Sequence, residues 1–457
     1  QNKVFLVNLS DIEGRIDPQY YFAKNRLELV NKTVYPVEKI SHVLSMQRGR
    51  FGHRPRNDPA FYGGEYPFIQ TGDIVKANLR KSKIGFNQTL NEKGLKTSRL
   101  FDEKVVVFTI AANIGYTAIL DYPACFPDSL IAMKPKSENV LLEYINIYLS
   151  IIRKHIESLA PQAAQKNINY QQLSLIPFII PPVEVQSSIV EINNRSVATY
   201  KTKIAKAQNL LNSVDDYLLT ELDIKVPDVD SSLSNRIFTV QASELSGGRF
   251  DALQYKSLLK DLILTRKDVI VLSQIVLDMK SGIGAGKQDQ SNEYEGIIQI
   301  RPTNISKGGK LNFTKNVYVN NIPNTLIVKK GDVLFNNTNS QELVGKTAYY
   351  DLDEVMSCSN HITRILVDHK KILPKYLGLL LNLYQQNKVF YYLCINWNNQ
   401  SGVGQDILRK LPIVLPNISK QQEIVQHIDK VRATATQLQQ EANEILAQAK
   451  QKIERMI

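Results

Sequence analysis

Pro177-Phe178-Ile179-Ile180-Pro181, with Gln186 and Ile189-Val190 close behind, returns as Pro412-Ile413-Val414-Leu415-Pro416 with Gln421 and Ile424-Val425, 235 residues further on (412 − 177). Prolines hold each stretch extended, because the residue before a proline is pushed out of the helical region. A helix opens directly afterwards. The correspondence continues outward from this strap. Gly14-Arg15-Ile16-Asp17 before Gln19-Tyr20 returns as Gly248-Arg249-Phe250-Asp251 before Gln254-Tyr255. Leu44-Ser45-Met46-Gln47-Arg48-Gly49 returns as Leu277-Asp278-Met279-Lys280-Ser281-Gly282, and Ile69-Gln70 as Ile298-Gln299. A period this long belongs to a duplicated domain, not to a solenoid repeat. The sequence therefore predicts two copies of one unit, with approximate internal two-fold symmetry.

Behind each strap the apolar spacing is regular. In the first copy Val190, Val197, Ile204, Leu211 and Leu218 fall every seven residues, with Tyr200, Ala207 and Val214 three later and Asn193 as the polar member of that second set. In the second copy Ile424, Val431, Leu438 and Ile445 fall every seven, with Ile428, Ala435, Ala442 and Ala449 four later. Sustained over about four heptads, this is a coiled-coil seam. Helices of about 36 residues would span roughly 54 Å at about 1.5 Å per residue. Alanines on the seam admit a second helix closely, so the two helices are expected to pack on each other. The alternative is that each lies along its own domain.

Ahead of each strap, short β-rich runs such as Lys104-Val105-Val106-Val107-Phe108 and Asp332-Val333-Leu334-Phe335 are followed by asparagine-containing turns, Ala111 to Gly115 and Asn336 to Asn339. Apolar helical patterns follow at Val140 to Ile156 and Pro374 to Leu393. The predicted fold class is α+β. Two similar α/β domains with strongly bent or barrel-like sheets occupy 1–182 and 236–417, each followed by a long helix, 183–222 and 418–457. A polar linker with Pro227 and a serine cluster fills 223–235.

At 457 residues the chain exceeds what one core usually supports. Hydrophobic residues at 43% and charged residues at 22% are ordinary for a folded protein, but a net charge of +12 favours a polyanionic partner. Cys125, Cys358 and Cys394 are odd in number and widely spaced, which suggests neither a disulfide framework nor a zinc site and fits a reducing, intracellular compartment. No stretch approaches about 18 apolar residues, and no basic-then-apolar segment opens the chain, so neither a membrane span nor a secretion signal is expected.

The order of domain, strap and heptad helix, present twice, resembles the specificity subunit of Type I restriction-modification enzymes. The resemblance is carried by Tyr66-Pro67-Phe68-Ile69-Gln70-Thr71-Gly72-Asp73-Ile74 with Ile298-Gln299-Ile300-Arg301-Pro302-Thr303-Asn304-Ile305, and by Gly331-Asp332-Val333-Leu334-Phe335. Gln186-Ser187-Ser188-Ile189-Val190 and Gln421-Gln422-Glu423-Ile424-Val425 complete it. No one motif is specific; their duplicated order is. The first copy departs from the usual acidic residue-Gln pair, having Glu184-Val185-Gln186. The resemblance implies two target recognition domains, each reading one half of a bipartite, asymmetric site in double-stranded DNA. It implies helices that set the spacer and dock methyltransferase subunits, with restriction/translocase subunits as further partners in a prokaryotic cytoplasm. No cofactor is implied in this chain; S-adenosylmethionine, ATP and Mg²⁺ belong to the partner subunits. Two related readers fixed by a rigid coiled coil suit a duplex, because the spacing of half-sites is then geometric.

Candidate DNA contacts follow from side-chain chemistry. Arg48, Arg50, Arg54 and Arg56 lie in one glycine-containing run, suited to guanine edges or phosphates. Lys76, Arg80, Lys81 and Lys83 form a second run suited to phosphate. In the second copy Lys280 and Lys287 flank a glycine loop at the matching place. That loop lacks the spacing of a nucleotide-binding P-loop, since Ser281 and Gln288 stand where Gly and Ser or Thr are needed. Arg301 and the amides of Asn336 and Asn337 complete the set, the asparagines suiting adenine edges or simply a turn. Gln162 to Gln165 and Gln400 to Gln405 are further loop candidates, and Trp397 suits either a core or a base.

No catalytic constellation is evident. There is no Asn-Pro-Pro-aromatic or Asp-Pro-Pro-Tyr tetrapeptide and no Gly-x-Gly-x-x-Gly opening a helix; His361 and His427 lack metal-ligand spacing, and Asp102-Glu103-Lys104 lacks a nuclease's earlier carboxylate. The expectation is a non-catalytic subunit of a restriction endonuclease and adenine methyltransferase complex. Two alternatives stay open: the specificity subunit of a bipartite-site system with fused methylase and nuclease, and a coiled-coil scaffold without DNA function.

Overall fold

The computed structural model describes residues 28–52, 57–160, 167–225, 239, 268–291, 295–320 and 322–457. The Gly14 and Gly248 motifs, Arg54, Arg56, Gln162 to Gln165 and most of the linker lie outside them. The chain divides into two units, 1–206 with 437–457, and 207–436.

In the first unit β1 (Val37–Lys39), β2 (Leu44–Arg48), α1 (Thr71–Arg80), β3 (Val105–Thr109), β4 (Thr117–Leu120), β5 (Leu130–Pro135), α2 (Leu142–Ile151) and β6 (Pro177–Ile179) lead into α3 (Val183–Glu221). The main sheet runs β2-β5-β3-β4 and is antiparallel throughout. β1 pairs antiparallel with the strap strand β6. All five residues of β3 are buried, because alternate side chains feed two cores. Val106 and Phe108 join α2, while Val105 and Val107 face the side covered by Ile74 and Ala77 of α1.

The second unit repeats this plan. β7 (Val269–Val271), β8 (Val276–Ser281), β9 (Val333–Asn336), β10 (Thr347–Tyr349), β11 (Ile362–Val367), α4 (Pro374–Gln386) and β12 (Pro412–Val414) lead into α5 (Ile418–Glu454). The sheet order is β8-β11-β9-β10, and β7 pairs antiparallel with β12. Val333 and Phe335 enter the core under α4, while Leu334 enters the opposite one.

The glutamine behind each strap is the pin of the design. Gln186 is fully buried; its side-chain oxygen accepts from Leu141 N at 2.9 Å, and its amide donates to Asn139 O and Pro181 O, each at 2.8 Å. Gln421, equally buried, accepts from Leu373 N at 2.8 Å and donates to Lys371 O at 3.1 Å and Pro416 O at 2.8 Å. One side chain thus ties the start of the long helix to the start of α2 or α4 and to the strap. Tyrosines of the same domain helices donate to the strap carbonyls, Tyr144 and Tyr148 to Ile179 and Pro177, Tyr376 and Tyr384 to Val414 and Pro412.

Within each unit α3 and α5 run antiparallel. In the first, Lys203 pairs with Glu441 at 2.7 Å, and Ile189 shares a core with Ile453 and Ile457. In the second, Tyr217 stacks on His427 with ring centroids 3.9 Å apart, Glu221 pairs with Lys420 at 2.5 Å, and Leu218 and Leu222 share a core with Ile424 and Ile428. Both sets of the heptad pattern contribute to the seam, the second set more deeply, with Ala207, Val214, Ile428, Ala435 and Ala442 buried. Of the strict seven-residue set Leu218 and Ile424 are buried, whereas Val190, Val197, Ile204, Leu211, Val431, Leu438 and Ile445 are half-buried. The deepest positions include Ala207, Ala435 and Ala442, where the absent side-chain bulk admits close backbone approach. Among the described residues no helix is long and apolar enough to cross a membrane.

Candidate nucleic-acid interface

Three segments meet at one end of the main sheet in each unit. In the first, the loop after β2, the turn that opens α1 and the segment before β5 are joined by Gly49 N to Leu130 O at 2.9 Å, Arg50 N to Phe126 O at 3.0 Å and Ile69 N to Cys125 O at 2.8 Å. In the second, Gly282 N reaches Ile362 O and Ile283 N reaches Cys358 O, each at 3.1 Å, while Ser359 N reaches Ile300 O at 2.9 Å. Both loops need glycine at the crossing. A Cβ on Gly49 would stand 2.4 Å from Phe126 O, and one on Gly282 would stand 1.9 Å from Cys358 O.

These contacts correct the pairing of the copies at this point. The sequence match set Ile69-Gln70 against Ile298-Gln299, but the structural equivalents are Ile69 with Ile300 and Gln70 with Arg301. Ile69 and Ile300 are both fully buried, and in each copy the next residue's N–H is held by a side chain three positions on, Asp73 Oδ2 or Asn304 Oδ1, at 2.9 Å. A shift of two residues preserves the strand alternation, which is why the apolar pattern did not expose it.

Arg48 and Arg50 are exposed on the first of these faces. Arg48 Nε donates to Asp128 O at 2.5 Å, and Arg50 O accepts from Ser98 Oγ at 2.7 Å. Arg99, isolated in sequence and so without a signal, joins them by donating to Arg48 O at 2.7 Å. Lys81 and Lys83 are not brought to this face. They lie past the far end of α1, about 15 Å along at about 1.5 Å per residue, and line a cavity of about 910 Å³ with Lys104, Asp121, Lys201 and Lys450. Lys83 pairs with Asp121 at 2.7 Å and holds that carboxyl below its ordinary range, while burial lowers the pKa of Lys81.

On the second face Lys280 and Lys287 are exposed; Lys280 Nζ lies 3.4 Å from Asp278, on the strand. Arg301 is half-buried and borders two cavities, of about 370 Å³ and 480 Å³. The smaller is walled by Gly284 to Gly286, Gln299, Ser359 and His361, the larger by Lys315, Asn339, Ser340 and Gln400 among others. The expectation that Asn336 and Asn337 offer their amides outward is corrected. Both are buried. Asn336 Nδ2 donates to Thr338 O and His361 O, and Asn337 Nδ2 to Asn360 O and Thr363 Oγ1. They shape the turn that presents Asn339 and Ser340. Trp397 is 47% exposed and rests on the bare Cα of Gly402.

A residue that sequence reasoning missed stands behind Arg301. Lys346 is buried, and its ammonium donates to Pro302 O at 2.7 Å and Ile305 O at 2.6 Å; burial lowers its pKa. Lysine is ordinarily a surface residue, so nothing in the sequence marked it. Among the described residues no cluster of His, Cys, Asp and Glu could hold a metal ion.

A family model described as Type I restriction modification DNA specificity domain matches residues 51–210 and again 283–447. A Methanocaldococcus jannaschii protein named as the type I restriction enzyme MjaX specificity subunit is 32% identical over 162 residues, 34% of this chain and 37% of that protein. The aligned stretch thus spans little more than a third of the relative. A chain in a solved structure of complex assembly and conformational transition in the type I R-M system is 12% identical, with a TM-score of 0.51 over 92% of this chain and 96% of that one. The S subunit of the M. genitalium type I system is 12% identical, with a TM-score of 0.43 over 93% and 97%. With the family model matched twice, over most of the chain and on both copies of the repeated scaffold, this protein belongs to the Type I restriction modification DNA specificity family.

Proposed function

We propose that this chain is the non-catalytic, sequence-reading subunit of a Type I restriction-modification complex. Each recognition domain reads one half of a bipartite, asymmetric target in double-stranded DNA through the face where the three segments meet. Arg48, Arg50 and Lys287 grip phosphates or base edges, and α3 with α5 sets the spacing and docks methyltransferase subunits. Methyl transfer from S-adenosylmethionine and ATP- and Mg²⁺-dependent translocation and cleavage are assigned to the methyltransferase and restriction subunits. The observation that supports this reading best is one scaffold built twice with different chemistry at matched positions, Gln70 against Arg301 and Arg50 against Ile283. Equivalent frames with unlike side chains are what an asymmetric site requires.

The test is selection of bound duplexes from a random pool by the full chain with its methyltransferase partner. Two unlike sequence blocks at a fixed gap are expected, with affinity falling steeply as salt rises. A single block, or binding indifferent to salt, would overturn the proposal.

A further inference from the structure

Resting on that function, we infer that positions 70 and 301 are equivalent specificity-determining positions, Arg301 reading a guanine in one half-site and Gln70 an adenine in the other. Both residues directly follow a fully buried isoleucine and open a turn closed by the residue three positions on. The backbone therefore delivers both side chains from the same place in the frame.

Arg301 is pinned from behind. Its Nε donates to Gln299 Oε1 at 3.0 Å and its Nη2 to Ala285 O at 3.2 Å. Gln299 is itself fully buried and donates to Ile283 O at 3.0 Å. The turn beneath is fastened by the Lys346 ammonium. Nη1 and the second N–H of Nη2 have no partner among the described residues, and this pair is the fork that matches guanine O6 and N7. Holding the guanidinium before binding removes much of the entropy cost of ordering it. Ser359, only 6% exposed and with a hydroxyl that has no hydrogen-bond partner among the described residues, lines the same cavity of about 370 Å³. Gln70 donates one amide N–H to Gln88 Oε1 at 3.1 Å. Its carbonyl oxygen and second N–H have no partner among the described residues, and they are the pair that matches adenine N6 and N7.

The experiment maps methylated adenines genome-wide in cells expressing the full chain with its methyltransferase, as wild type, Arg301→Gln, Arg301→Lys and Gln70→Arg. Arg301→Gln is expected to cut the preference for guanine at one position of one block by about 5- to 150-fold and leave the other block unchanged. Arg301→Lys keeps the charge but loses the fork, so it should relax the same position alone. Gln70→Arg should alter one position of the other block only. An unchanged motif in all three variants, or a uniform drop in methylation at every position, would overturn the inference in favour of no contact or a phosphate grip. If the wild type yields no bipartite motif, the proposed function itself fails and takes this inference with it.

Discussion

Replacing Gln421 by alanine removes the pin between strap, α4 and α5. Three hydrogen bonds at 2.8–3.1 Å disappear from a fully buried site. Each buried group left unpaired costs about 1–3 kcal/mol. Partial relaxation brings the expected loss to about 3–5 kcal/mol, a large part of a typical stability of about 5–15 kcal/mol. Gln421→Glu keeps the acceptor for Leu373 N–H but sets a carboxylate against the carbonyls of Lys371 and Pro416, so its loss should be at least as large. Trp397 is the only tryptophan in the sequence and lies in the second unit, so its fluorescence reports unfolding there. At roughly 3 kcal/mol per M, the urea midpoint of that transition should fall by about 1–2 M. Gln186→Ala should act on the first unit, seen in far-ultraviolet circular dichroism. A midpoint shift below about 0.3 M in both Gln421 variants would show that this side chain does not hold strap and helices together.

Gly282→Ala should destabilise by more than about 2 kcal/mol, since its Cβ would collide with Cys358 O, whereas Gly284→Ala, whose nearest neighbours are 3.8 Å away, should be nearly neutral; melting temperatures of the two variants decide it. Burial and the adjacent Asp216 push the Asp215 carboxyl up to about 6 from 3.8. The folded state then binds more protons between these values, so stability falls as pH rises through the window. Asp215→Asn should therefore gain about 1–2 kcal/mol above pH ~7, after allowance for solvent screening, and nothing below pH ~4; a pH-independent difference in urea unfolding would contradict this. Replacing Arg48 and Arg50 by alanine should reduce the slope of log K against log salt by about 1.8, or about 0.9 per lost phosphate contact. Fluorescence anisotropy on the selected duplex measures it, and an unchanged slope excludes both from the phosphate contacts.

The features legible in sequence were those with long-range regularity. The duplication, the straps, the heptads and the fully apolar strand runs each announce themselves by period or by proline, and they place the scaffold. Side-chain direction at the face where the three segments meet was not legible. Asn336 and Asn337 satisfy turn propensity whether their amides face inward or outward, and only the carbonyls of Asn360 and His361 settle that they face inward. The equivalence of Gln70 with Arg301 was hidden because a two-residue slip keeps the alternation of Ile298 and Ile300 intact. The seam alanines were legible by the heptad regularity: Ala207, Ala435 and Ala442, placed by that spacing, are all buried.

If one scaffold carries two independent readers, as proposed, either domain should be exchangeable on its own. The direct measurement replaces residues 236–417 with the corresponding domain of another member of the family and maps methylated adenines in cells that also express the methyltransferase. A bipartite motif with one block changed and the other block and the gap retained is expected. Change in both blocks, or loss of the gap with both blocks kept, would rule out two independent readers.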